Sequence, residues 1–167
     1  MPIDVTQTYA ADPDRVLAVL TDEAFLREWA RALEARVEEV SSHRDGAGTT
    51  TTVRLDAPTT GIPPVFARFV GRTVPVLDVR TWTPDGDGGH RGTLDVRSEI
   101  MGRTALVTGE RRLLAAGGGT RATVTGDVRV DAPLVGRQAE AAVRELVTQV
   151  VLRHEHEVLL RHLGESG

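Results

Sequence analysis

The sequence contains no cysteine and no lysine. Without cysteine there can be no disulfide, no thiol nucleophile and no cysteine-ligated metal. Without lysine there is no Schiff-base chemistry, and all 20 basic residues are arginine. No apolar run approaches the roughly 20 residues that span a bilayer. The opening Met1-Pro2-Ile3-Asp4 has neither the basic nor the apolar region of a signal peptide. Positive charge is not in excess: the net charge is -4 and the pI about 5.7. That balance argues against a nucleic-acid or anionic-membrane partner, both of which want a basic face. The expectation from these absences is a soluble cytoplasmic protein with no integral membrane segment.

Several catalytic and cofactor signatures are missing as well. No Gly-Lys-Thr follows any glycine cluster, so there is no phosphate-binding loop. No Gly-x-Ser-x-Gly nucleophile elbow occurs. A zinc-protease helix needs histidines one turn apart, but His154-Glu155-His156-Glu157 is followed by Val158. Asp85 and Asp87 sit in a glycine-rich turn, yet Gly89 and Val96 stand where a calcium loop needs oxygen ligands. No metal and no cofactor is expected.

What is present is an ordinary globular composition, 40% hydrophobic and 26% charged. A chain of 167 residues fits one domain, 1–167, with a real core. Ile3, Val5, Gln7 and Tyr9 alternate with polar residues, which predicts a half-buried strand. Asp12-Pro13 and then Asp22-Glu23 supply two helix starts in tandem, with Val16, Leu17 and Leu20 on one apolar face and Phe25, Leu26, Trp29 and Leu33 on the next. Strands follow at Val37–Ser42, Thr49–Leu55, Thr73–Thr83, Arg91–Ile100, Thr104–Ala116 and Thr120–Asp131, separated by short glycine-rich turns. Such turns join antiparallel neighbours. Between the third and fourth strands, Val65, Phe66, Phe69 and Val70 predict a short helical insert near 63–70. Leu134–Leu163 is the one long stretch with helical periodicity. Its apolar stripe runs through Ala139, Val143, Leu146, Val147, Val150, Val151 and Val158, with His154 on the same face.

One strand, two short helices, six strands and one long helix make an α+β pattern. It resembles the helix-grip fold of the START-like superfamily, which includes birch-pollen-allergen-type proteins, polyketide cyclases and lipid-transfer domains. The resemblance covers essentially the whole chain. Asp131-Ala132-Pro133-Leu134-Val135-Gly136, the Pro63–Phe66 segment and Trp82 are similar to an actinobacterial branch of unestablished function. The resemblance implies a seven-stranded curved antiparallel sheet wrapped around the long C-terminal helix. It also implies a cavity between the two that takes a small hydrophobic molecule such as a lipid or polyketide.

The residues nominated for such a cavity are Gln7, Phe66, Phe69, Trp82, Val96, Ser98, Val143, Val147, Val150, Val151 and His154. Phe66 and Phe69 could form a lid, hinged at Gly61 and Gly71. A cyclase- or dehydratase-type enzyme would need an acid–base pair, for which His154, Glu110 and Arg111 are the candidates. Strand register decides whether Arg111 or the pair Glu110 and Arg112 points inward, and the sequence leaves this open. A third reading is an interaction module with a filled core. Leu152, Leu159 and Leu163 would then cover the two short helices or form a dimer surface, so monomer and homodimer are both open.

Overall fold

The computed structural model describes residues 1–60, 62–67 and 70–165. The chain opens with β1 (Pro2–Tyr9), α1 (Pro13–Leu20) and α2 (Glu23–Ala32). β2 (Arg36–Asp45), β3 (Gly48–Pro58), the single turn α3 (Pro64–Ala67) and β4 (Thr73–Pro84) follow. Then come β5 (His90–Ile100), β6 (Arg103–Ala116) and β7 (Gly119–Val130). The last element is one continuous helix in three parts: α4 (Gly136–Leu146), a π-helical turn (Val147–Val151) and α5 (Leu152–Leu163). The seven strands form one antiparallel sheet in the order β1-β7-β6-β5-β4-β3-β2. This is the α+β helix-grip fold, a curved sheet closed over a long C-terminal helix.

Local chemistry accounts for the helix starts. The Asp12 carboxylate accepts the Arg15 backbone N–H at 2.9 Å, with Pro13 preset for the first turn. Asp22 accepts the Ala24 N–H at 3.3 Å, and Glu23 places negative charge at the same helix start. α5 ends at Gly164, whose φ of 71° is the left-handed conformation that closes helices.

The strands bury alternate residues. On β4 the inward set is Val74, Val76, Asp78, Arg80 and Trp82; on β6 Val107, Arg111 and Leu113 are buried. Register therefore resolves the Glu110–Arg112 ambiguity. Arg111 enters the interior, while Glu110 lies outside, bonded to Arg112 at 2.6 Å. Trp82 pairs across the sheet with Gly92. A Cβ at Gly92 would stand 2.8 Å from the indole ring, so only glycine leaves room for it.

The long helix departs from the predicted stripe. The Leu152 N–H bonds to the Val147 carbonyl, a five-residue step where an α-helix takes four. One extra residue in a turn rotates everything after it by about 100°. Leu152 and Glu155 consequently face the interior. His154, expected on that face, lies off it, half-buried, with Nδ1 3.4 Å from Glu157. The same rotation moves Leu152 from the predicted outer side into a cluster with Ile3, Leu94, Val107, Val124 and Val128. Leu159 and Leu163 pack with Val16, Leu20, Phe25 and Leu26 of α1 and α2. All three leucines are covered within the chain, which removes them as a dimer surface.

Candidate functional site

Sheet and helix leave between them a cavity of about 620 Å³. Its walls are aliphatic: Leu55, Val76, Leu94, Val96 and Val107 from the strands, and Val143, Leu146, Val147 and Val151 from the helix. Strand pleating supplies one wall, because alternate residues of β3 to β6 point the same way. Helix periodicity through α4 and the π-turn supplies the other.

The inner end carries charge. Asp78 and Arg80 line the cavity there, beside Trp29 and Leu152. Arg80 grips Asp78 with two bonds of 2.8 Å, from Nε to Oδ1 and from Nη2 to Oδ2. Its Nη1 donates to Glu155 Oε2 at 2.5 Å. Arg111 Nη1 donates to the same Glu155 oxygen at 3.0 Å, and its Nη2 to Glu155 Oε1. All four side chains are buried. Burial alone would push the Glu155 carboxyl up, but Arg111 and then Arg80 outweigh it and hold it at about 2. Aromatic faces complete the surroundings: the Arg80 guanidinium lies 5.0 Å from the Trp29 ring centroid and that of Arg111 5.7 Å from Trp82. Trp29 in turn donates its indole N–H to the Val151 carbonyl at 3.2 Å, tying α2 to the π-turn.

Two cations and two anions thus neutralise one another, and each carboxylate oxygen already accepts a guanidinium N–H. A group held at about 2 is ionised and a poor proton acceptor at neutral pH. The arrangement does what a buried ion pair does when well satisfied: it closes the inner end of the cavity and fixes the helix against β4 and β6.

The outer end is built from three connections. Pro63 and Phe66 come from the β3–β4 segment, Met101 from the β5–β6 turn and Arg103 from the start of β6, and Pro133 and Val135 from the β7–α4 link. Arg97 and Ser98 also line the cavity on this side. The Ser98 hydroxyl donates to the Pro75 carbonyl at 2.7 Å.

Of the nominated residues, Phe66, Val96, Ser98, Val143, Val147 and Val151 are brought together on the cavity wall. Gln7, Trp82, Val150 and His154 are not. Gln7 sits on the inner face of β1, accepting the Tyr9 hydroxyl at 3.2 Å, and Trp82 is buried in the core beneath Arg111. Val150 falls off the cavity side of the π-turn, and Phe69 and the hinge candidate Gly61 lie outside the described residues. Among the enzyme candidates, Arg111 is committed to Glu155, while Glu110 and His154 are outside the cavity. Sequence reasoning missed Asp78, Arg80 and Glu155. The first two were signalled by alternation: Val74, Val76 and Trp82 fix a face that also carries both charges. Among the described residues no group of three or more histidines and carboxylates could hold a metal ion, and no helix is long and apolar enough to cross a membrane.

Comparison with solved structures supports the fold. TTHA0849 from Thermus thermophilus superposes with a TM-score of 0.62 at 21% identity, covering 97% of this chain and 99% of that one. A STAR-related lipid transfer protein fragment from Xanthomonas axonopodis gives 0.57 at 17%, covering 98% and 86%. Ara h 8.0201 gives 0.52 at 15%, covering 96% and 98%. At these identities the likeness concerns the fold. No curated protein matches the sequence. Residues 4–163 match the model of a family described as "Protein of unknown function (DUF2505)", and the chain belongs to that family.

Proposed function

We propose that this protein binds a small hydrophobic molecule, such as a lipid or polyketide, between its sheet and its C-terminal helix. The observation that carries the reading is the cavity of about 620 Å³ with aliphatic walls. Ligand pockets for small molecules run to several hundred cubic ångströms and are mostly apolar. A filled-core interaction module would not maintain such a space. The likeness to a protein whose name includes lipid transfer points the same way.

A cyclase- or dehydratase-type enzyme is disfavoured by the chemistry of the inner end. Catalysis by proton transfer needs a group free to exchange a proton with the ligand near neutral pH. Asp78 and Glu155 are instead spent on Arg80 and Arg111. The ligand's apolar body would occupy the aliphatic walls, and its polar group would lie toward the outer end, where Arg97, Arg103 and Thr104 stand.

Native mass spectrometry of the freshly purified protein tests this. The expected result is a one-to-one mass excess that organic extraction removes and added fatty acid or aromatic polyketide restores. An apo mass that none of these ligands changes would overturn the reading.

A further inference from the structure

The large apolar side chains exposed to solvent among the described residues are Val65, Met101, Leu134 and Val135, at 56%, 80%, 100% and 37%. They belong to three connections far apart in sequence, and all three border the outer end of the cavity. Two of the four are held in a backbone conformation that bulky residues seldom adopt: φ is 51° at Met101 and 72° at Leu134. Glycine or asparagine would take those positions without strain. Burial within the fold does not explain the choice either, because neither side chain is buried.

Charge is distributed to match. The described residues of the segments 59–72, 95–104 and 131–137 carry four arginines, Arg72, Arg97, Arg103 and Arg137, against three carboxylates, Asp95, Glu99 and Asp131, for a net +1 in a chain of net -4. Arg97 is bonded to Asp95 at 2.9 Å. Arg72, Arg103 and Arg137 have no ion pair among the described residues. The bulk charge, which argued against an anionic surface, is the wrong quantity here. Exposed charges act over roughly a Debye length of ~8 Å at physiological salt, so the local sign governs contact.

We propose that this end of the molecule docks on an anionic lipid surface, with Val65, Met101 and Leu134 entering the headgroup–acyl boundary and the arginines meeting the phosphates. Apolar tips ringed by arginine are what such a boundary accepts: the tips gain burial and the guanidiniums keep their headgroup contacts. The outer end of the cavity would then open onto the lipid. A protein acceptor would have to supply both an apolar socket for three separate tips and an acidic surround; a bilayer offers both without shape matching.

The test is co-sedimentation of the full chain with phosphatidylglycerol–phosphatidylcholine vesicles and with pure phosphatidylcholine vesicles, at low and high salt. Two double variants are compared with the wild type: Val65→Ser with Leu134→Ser, and Arg72→Gln with Arg137→Gln. None of these four residues lines the cavity. The account expects binding to the anionic vesicles that is lost at high salt. It expects each double variant to weaken that binding by about tenfold or more, with an unchanged thermal midpoint. Uptake of fatty acid from solution by the same variants should be unchanged, which separates docking from the cavity reading on which it does not rest. No binding to anionic vesicles, equal binding to neutral ones, or wild-type binding by the serine variant would overturn the proposal. So would a concentration-dependent dimer abolished by the serine substitutions, which would assign the face to a second copy.

Discussion

Glu155 is buried on a helix, keeps its charge, and meets Arg80 and Arg111 from two different strands. Replacing it by glutamine leaves Arg80 with Asp78 alone and the buried Arg111 guanidinium with no carboxylate among the described residues. Breaking a buried ion pair from one side costs about 3–5 kcal/mol, so Glu155→Gln should lower the urea midpoint severely, whereas Glu157→Gln on the exposed side should change the unfolding free energy by less than ~0.5 kcal/mol. The pH dependence follows from the same pairing. The folded Glu155 carboxyl is held at about 2 against an ordinary 4.5. Because the folded value is depressed, the stabilisation is complete above the ordinary value and is lost as pH falls from there toward about 2. Urea melts of the wild type should therefore weaken through this window, and those of Glu155→Gln should show a flatter slope. At this scale the sequence was half readable. Asp78 and Arg80 stand in plain alternation with Val74, Val76 and Trp82. Glu155 was hidden, because helical periodicity assigns its place to His154.

The reason for that misassignment lies at the scale of elements. Strands β1 to β7 were legible from alternation and glycine turns, since a period of two leaves little choice once one face is apolar. The two short helices were legible from Asp12-Pro13 and Asp22-Glu23. The long helix was legible as a helix but not in its phase. A π-turn hides within Val147-Thr148-Gln149-Val150-Val151, where apolar residues on both sides of Thr148-Gln149 fit either winding. This gives a prediction about deletions, which normally destroy a packed helix. Removing Gln149, a residue inside the π-turn, should convert five residues into an ordinary turn of four. α4 and α5 would keep their faces, and the protein should still unfold cooperatively. Removing Glu157, beyond the ionic cluster, rotates Val158, Leu159 and Leu163 by about 100° off their core and should abolish cooperative unfolding. Circular-dichroism melts of the two deletions distinguish these outcomes; equal damage from both would contradict a role for the π-turn in setting the phase of α5.

At the scale of the whole molecule, the helix-grip arrangement was readable from element order, but the cavity was not. Whether a sheet and a helix close into a core or stand apart depends on side-chain volumes at the contact. Here the helix face toward the outer end carries small residues, Ala139, Ala142 and Val143, while the ionic cluster and Trp29 fasten the inner end. The sheet is thus clamped at one end and held apart at the other, which leaves the space. The most direct test is a fluorescence titration with the apolar dye diphenylhexatriene, comparing the wild type with Ala105→Phe plus Ala142→Phe, two small wall positions enlarged into the cavity. The account predicts saturable one-to-one binding by the wild type and a loss of at least about tenfold in affinity in the filled variant, since pocket volume is what the dye requires. Equal saturable binding by the filled variant, or none by the wild type, would contradict it.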